Sequence, residues 1–267
     1  MKLTVLVDNN TYIDQYYYGE PALSFYIEQG GKTILFDAAY SDVIVKNAQL
    51  MGVDLSGTDC LALSHGHEDH TVGLKYLNDI IKDNTQLLCH PDCLLPKEWN
   101  GKDIGSPYSE EQIAHKYKYT PSAQPVEIAE NLWFLGHIPR TFDHEKSCIG
   151  RIYKDGVWKD DTLEDDTAFA YKTKDGLFII TGCSHSGICN ICEWAKKVCG
   201  VDKINGIIGG FHLFDDDEKL AKTVDYFVQN KIEKLYPCHC VSLVARHRMM
   251  EKLDVVEVAV GLQIEIE

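Results

Sequence analysis

Long hydrophobic runs, an excess of positive charge and a high density of cysteine are all missing from this 267-residue chain. No stretch approaches the roughly 18 uncharged apolar residues that a membrane helix needs, so we expect no membrane anchor. Lysine and arginine number 26 against 41 aspartate and glutamate residues, and the net charge of −15 disfavours nucleic acid as a partner. Ten cysteines are too few for a disulfide scaffold.

The first residues, MKLTVLVDNN, contain Asp8 and two asparagines where an export signal needs a longer apolar segment. We therefore expect a cytoplasmic protein with reduced thiols. At this length one large core can form without covalent staples. We expect a single domain over residues 1–267, with a loop-rich insertion at about 91–165, where the periodicity is weak.

The N-terminal part predicts strands at 22–28 and 33–36, joined by a turn at Gly30 and Gly31. Residues 42–51 predict a helix that Gly52 ends. In the insertion, residues 133–135 predict one strand. These elements place a hairpin and a helix ahead of the more informative segments.

One unit occurs four times: an apolar run, small residues, a histidine and a helical pattern. Alternating strands and helices predict an α/β fold with partly parallel sheets. Ligands in such folds bind beyond the carboxyl ends of the strands. Because four of the chain's eleven histidines follow these runs, we expect them to converge on one site; they are His65, His185, His212 and His239.

The most informative stretch is HGHEDH at residues 65–70. Alternation places His65, His67 and Asp69 on one side of an extended loop, and His70 can turn toward the same point. Imidazole and carboxylate suit zinc, iron or manganese. We expect one or two divalent ions, with zinc first and iron or manganese as alternatives. The competing interpretation is a solvated polar turn.

HGHEDH matches the HxHxDH signature of the metallo-β-lactamase-fold hydrolases, which this chain resembles. ILFDAA at 34–39 resembles the same superfamily. Three later segments resemble the branch that includes the archaeal dihydropterin ribofuranosyl-aminobenzene phosphate synthases: TGCSHSGICNI at 181–191, GGFHLF at 209–214 and YPCHC at 236–240. The resemblance therefore spans almost the whole chain.

This resemblance implies a four-layer αββα sandwich with mixed sheets and a one- or two-metal site between loops. By position, His65 and His67 with a later histidine hold the first metal. Asp69 and His70 with His239 hold the second. The completing ligand is expected to be His185. The remaining histidine, at position 212, is either another ligand or an acid/base that faces the substrate.

One departure concerns the aspartate that commonly bridges two metals in the superfamily. Cys183 stands where it is expected, as a thiolate ligand or as a small buried residue. Asp165 or Asp166 could supply the missing carboxylate from the previous loop. Without a sure bridge, one firmly held metal is the safer expectation.

Three further side chains have candidate roles. Asp37 is expected behind the metal loop, where it would fix an imidazole tautomer; the alternative is a turn-forming aspartate. Arg140 is expected to bind a substrate phosphate, because a guanidinium contacts phosphate bidentately. Cys189 and Cys192 could form a cluster or redox site, but their place on an apolar helix face favours core packing.

The resemblance implies a metal-dependent hydrolase that makes hydroxide from a metal-bound water. Asp69 would orient the nucleophile and His212 would protonate the leaving group. A phosphoester-containing small molecule is favoured as substrate. The alternatives are a pterin-transferring synthase-like enzyme and a noncatalytic module that senses metal or ligand. A homodimer is a further expectation.

Overall fold

The computed structural model describes residues 1–267, and its strands form two large mixed sheets and one small antiparallel sheet. In chain order the strands are β1 (Lys2–Val7), β2 (Ser24–Gln29), β3 (Lys32–Phe36), β4 (Cys60–Ala62), β5 (Gln86–Leu88), β6 (Lys97–Trp99), β7 (Lys102–Asp103), β8 (Lys118–Tyr119), β9 (Val126–Ala129), β10 (Leu132–Phe134), β11 (Arg151–Lys154), β12 (Val157–Asp160), β13 (Ala168–Lys172), β14 (Leu177–Thr181), β15 (Ile204–Gly209), β16 (Lys234–Pro237) and β17 (Gln263–Glu265). The helices are α1 (Val43–Met51), α2 (Glu68–Thr71), α3 (Leu74–Leu77), α4 (Glu110–Lys116), α5 (Ile188–Cys199), α6 (Glu218–Gln229) and α7 (Leu243–Met250).

The first large sheet has the order β17-β1-β2-β3-β4-β5-β8, and the second has the order β16-β15-β14-β13-β10-β9. Strands β3, β4, β5 and β8 are parallel to one another, as are β14, β15 and β16. The remaining neighbours in these two sheets pair antiparallel. The predicted mixture of parallel and antiparallel pairing is therefore confirmed.

The two large sheets pack face to face through aromatic side chains. Phe36 of the first sheet and Phe169 of the second have ring centroids 4.6 Å apart. Each fully buried phenylalanine stabilises the fold by about 1.5–3 kcal/mol on leaving water. Helices cover both outer faces through buried side chains of α1, α3, α5, α6 and α7, among them Ile44, Leu74, Ile191, Phe227 and Met249. The result is the predicted four-layer αββα sandwich.

Local sequence signals explain most element boundaries. The hairpin β2–β3 turns at Gly30 and Gly31, and Gly52 ends α1 in the left-handed conformation, with φ 69°. Asp217 caps α6 by accepting from the Leu220 N–H at 2.9 Å. The hairpin turn and the end of α1 were predicted from the sequence. No helix of the structure is long and apolar enough to cross a membrane.

The helical pattern that follows the first of the four histidines does not form one continuous helix. It begins at Glu68 and consists of two single turns, α2 and α3, on either side of Gly73. A Cβ atom on Gly73 would lie 1.8 Å from the Ala38 carbonyl oxygen. The loop after β3 thus crosses the helical stretch at the one position where a side chain is absent.

The segment at 91–165 contributes to all three sheets. Strand β8 extends the first sheet and β9–β10 extend the second, whereas β6, β7, β11 and β12 form the small sheet. The strand predicted at 133–135 is β10, shifted by one residue. Helix α4 begins with a capping box between Ser109 and Gln112.

Candidate metal centre

The loop that follows β4 is buried and has no room for a side chain at Gly66. His65 is fully buried, and a Cβ atom on Gly66 would lie 2.0 Å from the Cys93 carbonyl oxygen. Gly66 therefore allows the chain to pass close to the Cys93 carbonyl and the Lys97 side chain, while both flanking histidines join the same ligand group.

The structure brings the six predicted ligands, together with the possible ligand Cys183, into two adjacent groups. The first group contains His65, His67 and His185, and the second contains Asp69, His70, Cys183 and His239. Within each group the ligand atoms lie within 4.8 Å of one another. The rings of His65 and His70 have centroids 4.3 Å apart, so the groups are neighbours. The structure therefore places these distant histidine segments side by side.

Distances between donor atoms suit shared metal ions. His65 Nε2 lies 3.1 Å from His67 Nδ1, and His70 Nε2 lies 3.2 Å from both His239 Nε2 and Cys183 Sγ. Metal–nitrogen bonds of about 2.0–2.1 Å hold two ligands of one ion roughly 3.0–3.4 Å apart. These nitrogen–nitrogen separations are therefore those that a common cation requires.

Unpartnered nitrogens in the first group point to the same conclusion. His67 Nε2 and both ring nitrogens of His185 are buried and have no hydrogen-bond partner. Leaving such a group unsatisfied costs about 1–3 kcal/mol. A divalent cation would satisfy one of the two ring nitrogens of His185, so the donor set fits a metal.

The protonation states of the first group also suit ligation. Burial lowers the pKa of His65, His67 and His185, so these imidazoles are neutral near pH 7 and offer lone pairs. For His70, burial acts in the same direction, but the Asp69 and Asp37 carboxylates outweigh it and raise its pKa well above the usual value.

Asp37 determines the tautomers of two histidines. Its Oδ2 accepts from His70 Nδ1 and from the Ser64 hydroxyl, both at 2.7 Å. Because that hydroxyl donates to Asp37, its oxygen accepts from His65 Nδ1 at 3.0 Å. Both histidines therefore direct Nε2 toward the other ligands. This geometry matches the predicted position of Asp37 behind the metal loop.

The N-terminal segment orients His239, a contact that the sequence analysis missed. The Asn9 side-chain oxygen lies 3.2 Å from His239 Nδ1, which leaves Nε2 facing Asp69 Oδ2 at 3.2 Å. Asp8 Oδ1 accepts from the His239 main-chain N–H at 2.7 Å. The available signal was a pair of polar residues directly after an apolar strand, as in the histidine segments.

Asp165 and Asp166 lie outside both ligand groups, so neither replaces the bridging aspartate. Asp165 Oδ2 accepts from the Gly66 N–H at 2.8 Å. Asp166 Oδ2 accepts from the N–H of Ser186 at 2.9 Å and from its hydroxyl, and it thereby holds the residue after His185. Burial raises the pKa of Asp166 to about 6. The expectation of a ligand carboxylate from this loop is corrected: both carboxylates support the ligand loops instead.

Cys183, and neither of those two carboxylates, lies among the ligands at the place where a bridging aspartate was expected. It is 3% exposed, and its sulfur belongs to the second ligand group. Burial raises the pKa of its thiol well above the usual value. A bound cation would favour the thiolate, as metal coordination does for cysteine generally.

The ligand groups form the floor of a cavity of about 530 Å³. His212 lines this cavity, with its ring centroid 4.6 Å from that of His185, but it belongs to neither ligand group. Burial, assisted by the Lys219 ammonium, lowers the pKa of His212 to about 4. The imidazole is therefore neutral near pH 7 and lines the cavity.

Arg140 does not line the cavity, which corrects the expectation that it binds a substrate phosphate. Its guanidinium donates to the Leu163 carbonyl at 2.6 Å and lies 3.6 Å from a Glu164 carboxylate oxygen. The Arg140 guanidinium thus stabilises the loop that precedes Asp165.

A third group of ligand-type residues lies at the start of α5. Glu145 is buried, and its two oxygens accept from the N–H groups of Cys189 and Asn190 at 2.8 and 2.9 Å. These bonds satisfy the free N–H groups of the helix N-terminus. Cys189 and Cys192 pack in the hydrophobic core, as the helix pattern predicted.

The chain is thus an αββα sandwich with two adjacent groups of metal-ligating side chains beyond the ends of its central strands. This combination defines the class of metal-binding αββα proteins. The chain belongs to the metallo-beta-lactamase superfamily, because the sequence model of that family matches residues 17–239. Members of this superfamily are usually metal-dependent and hydrolytic.

Two relatives from Methanocaldococcus jannaschii are similar over nearly their whole length. The uncharacterized protein MJ0448 is 33% identical over 253 residues, which cover 93% of this chain and 94% of the relative. The 7,8-dihydropterin-6-methyl-4-(beta-D-ribofuranosyl)-aminobenzene-5'-phosphate synthase is 28% identical, covering 94% of this chain and 91% of that enzyme. Among solved structures, Tm1679, described as a metal-dependent hydrolase of the beta-lactamase superfamily, matches with a TM-score of 0.86 and 27% identity, over 100% of this chain and 99% of that one.

Proposed function

We propose that this protein is a metal-dependent hydrolase that cleaves a phosphoester bond in a small molecule. The observation that carries the proposal is the position of the two donor groups at the floor of an open cavity. Five of their members line that cavity: His67, Asp69, Cys183, His185 and His239. A substrate can therefore reach the ligand atoms, whereas a sensing module would enclose a fully ligated metal.

Each of the two donor groups would bind one cation. His65, His67 and His185 would hold one cation, and Asp69, His70, Cys183 and His239 would hold a second. A divalent cation in such a site acidifies a water ligand toward neutral pKa and polarises the bond under attack. Zinc suits the mixture of imidazole and thiolate best, with iron or manganese as alternatives.

Two side chains of the cavity would act on protons. Burial raises the pKa of Asp69, but His70 and His239 lower it well below the usual value, so the carboxylate stays ionised and can orient an incoming water. The neutral imidazole of His212 can accept a proton and return it to the leaving oxygen. Both assignments are proposals for the reaction.

The proposal is tested with metal-loaded protein and a panel of phosphodiester, phosphomonoester, thioester and lactam substrates. We expect phosphoester turnover that a chelator abolishes and added zinc or manganese restores. Asp69→Asn should lose activity. His115→Ala, at an exposed histidine that does not line the cavity, should retain it. Turnover of only thioesters or lactams would reject the phosphoester assignment, and no turnover by fully loaded protein would favour the sensing module.

A pterin-transferring synthase is the second candidate, because one relative has that type of name and similarity over nearly its whole length. The exposed aromatic side chains of Tyr40 and Phe214 in the cavity lining suit a flat ring. Formation of the product named for that relative, without phosphodiester hydrolysis, would favour the synthase over the hydrolase.

A further inference from the structure

The lining of the cavity includes apolar side chains as well as the polar donor groups. These apolar side chains come from five separate segments of the chain: Pro21, Tyr40, Ile104, Ile149 and Phe214. Phe214 is 48% exposed and Tyr40 is 44% exposed, so neither is used to fill the core. We call these five residues the apolar wall.

The lining contains no lysine or arginine, and it includes the carboxylates of Glu68 and Asp69. Two basic side chains from neighbouring segments, Lys219 and Arg140, bond to main-chain carbonyls instead. Lys219 donates to the His212 carbonyl at 3.2 Å, and Arg140 is bonded to the Leu163 carbonyl. A second anionic group on a substrate would therefore meet no counter-charge from a protein side chain.

Phe214 connects the apolar wall to the ligand groups. Its ring packs edge-on against His212 with centroids 4.8 Å apart, and His212 packs against His185. The Ser242 hydroxyl donates to the Phe214 carbonyl at 2.6 Å, which fixes the main chain at this position. Only one ring thus separates the exposed phenyl group from a metal-ligand histidine.

We propose that the apolar wall is a binding subsite for an uncharged aromatic or aliphatic group of the substrate. This inference rests on the proposed function: the ester to be cleaved lies at the metal centre, and the group it carries packs against Phe214. The substrate class would be aryl or alkyl phosphodiesters, and not compounds that carry a further phosphate or carboxylate at that end. Burial of apolar surface supplies the affinity.

Binding of three phosphonates to zinc-loaded protein tests the subsite by calorimetry. Phenylphosphonate, methylphosphonate and 4-phosphonobenzoate share the group that faces the metal and differ in the group that faces the wall. We expect phenylphosphonate to bind about tenfold more tightly than methylphosphonate. The added carboxylate of 4-phosphonobenzoate should remove that gain.

Variants of the wall provide the matched comparison. Phe214→Ala should reduce the phenyl-to-methyl ratio to about twofold, and Phe214→Arg should make 4-phosphonobenzoate the preferred ligand of the three. Ile13→Ala, at an exposed apolar residue outside the cavity, should keep the wild-type ratio. Equal affinities in the wild type, or an unchanged ratio in Phe214→Ala, would overturn the proposal.

Benzoate and acetate separate failure of the subsite from failure of the proposed function. Both present a carboxylate to the metal in place of the phosphonate. A preference for benzoate that Phe214→Ala removes, with no binding of any phosphonate, would keep the apolar subsite and reject phosphoester hydrolysis. Loss of the phenyl preference in both series would reject the subsite alone.

Discussion

The main-chain N–H of Gly66 donates a 2.8 Å hydrogen bond to Oδ2 of Asp165, a residue 99 positions away in the chain. The other oxygen of Asp165 accepts from Lys97 Nζ at 3.1 Å, and Lys97 also bonds to Asp161 at 2.7 Å. Since Gly66 separates two of the ligand histidines, the buried lysine of strand β6 positions the metal loop. The small sheet therefore supports the site through Lys97.

Replacing this lysine tests its contribution to stability. Lys97→Met keeps a side chain of similar length but leaves two buried carboxylates without a cation. We expect the free energy of unfolding to fall by about 3–5 kcal/mol, measured by urea denaturation at about pH 7.5. Lys154→Met removes a partly exposed partner of Asp92 and should cost no more than about 1 kcal/mol.

The same variant predicts a pH dependence. Burial raises the pKa of Asp165, but Lys97 lowers it below the usual value, so the pair stabilises the folded protein above about pH 4 and less below it. In Lys97→Met the pKa of Asp165 should rise, because burial is then unopposed. The destabilisation should therefore shrink as pH falls from about 7.5 to about 4.5. A constant difference across that range would contradict the assignment.

Gly66→Ala tests how closely the metal loop packs against the Cys93 carbonyl. The new methyl group would lie 2.0 Å from the Cys93 carbonyl oxygen and 2.9 Å from Lys97 Cε, so the loop must move. We expect the variant to lose the ion held by the first group, as measured by metal content after dialysis. Gly57→Ala, whose Cβ would meet only an Asp54 oxygen at 3.7 Å, should retain all bound metal.

Asp37→Asn tests the tautomer assignment. Asp37 accepts three hydrogen bonds, two from Ser64 and one from His70, and an amide would turn its NH₂ group toward one of these donors. We expect zinc affinity, measured by competition with a chelator, to fall about 10–100-fold. Asp59→Asn, at an exposed carboxylate bonded to Thr33, serves as the control. Equal affinities of the two variants would remove the basis for the assignment.

Cys183→Ser tests whether the thiolate is a ligand. Cobalt-loaded wild-type protein should show thiolate-to-cobalt charge-transfer absorption in the near ultraviolet, and Cys183→Ser should lose it. Cys240→Ser, which removes the other thiol of the cavity, should keep the band. Absence of the band in the wild type would make Cys183 a small buried residue.

The parts of the site that depend on local pattern could be predicted from the sequence. The segment at 65–70 carries four donors within six residues, and His185 and His239 each follow an apolar strand of a mixed sheet. The end of a strand can be recognised in the sequence, because an apolar run and the polar residue after it are adjacent in the chain.

Contacts between distant segments could not be predicted in this way. Asp8 and His239 are 231 positions apart, and Lys97 reaches Asp165 from a sheet in which β6 pairs with the distant strand β11. The expectation for Arg140 failed for a related reason: its charge is satisfied by a loop carbonyl that only the fold brings near. A single sequence reports which groups are present but not which of them are already paired.

Metal content measured by elemental analysis tests the central claim, that the two donor groups hold divalent cations. Wild-type protein, His67→Ala, His239→Ala and the exposed control His115→Ala are purified alike, incubated with zinc and dialysed. The account predicts that the wild type and His115→Ala retain zinc and that each of the other two variants loses a share of it. Equal zinc content in all four proteins would contradict the account.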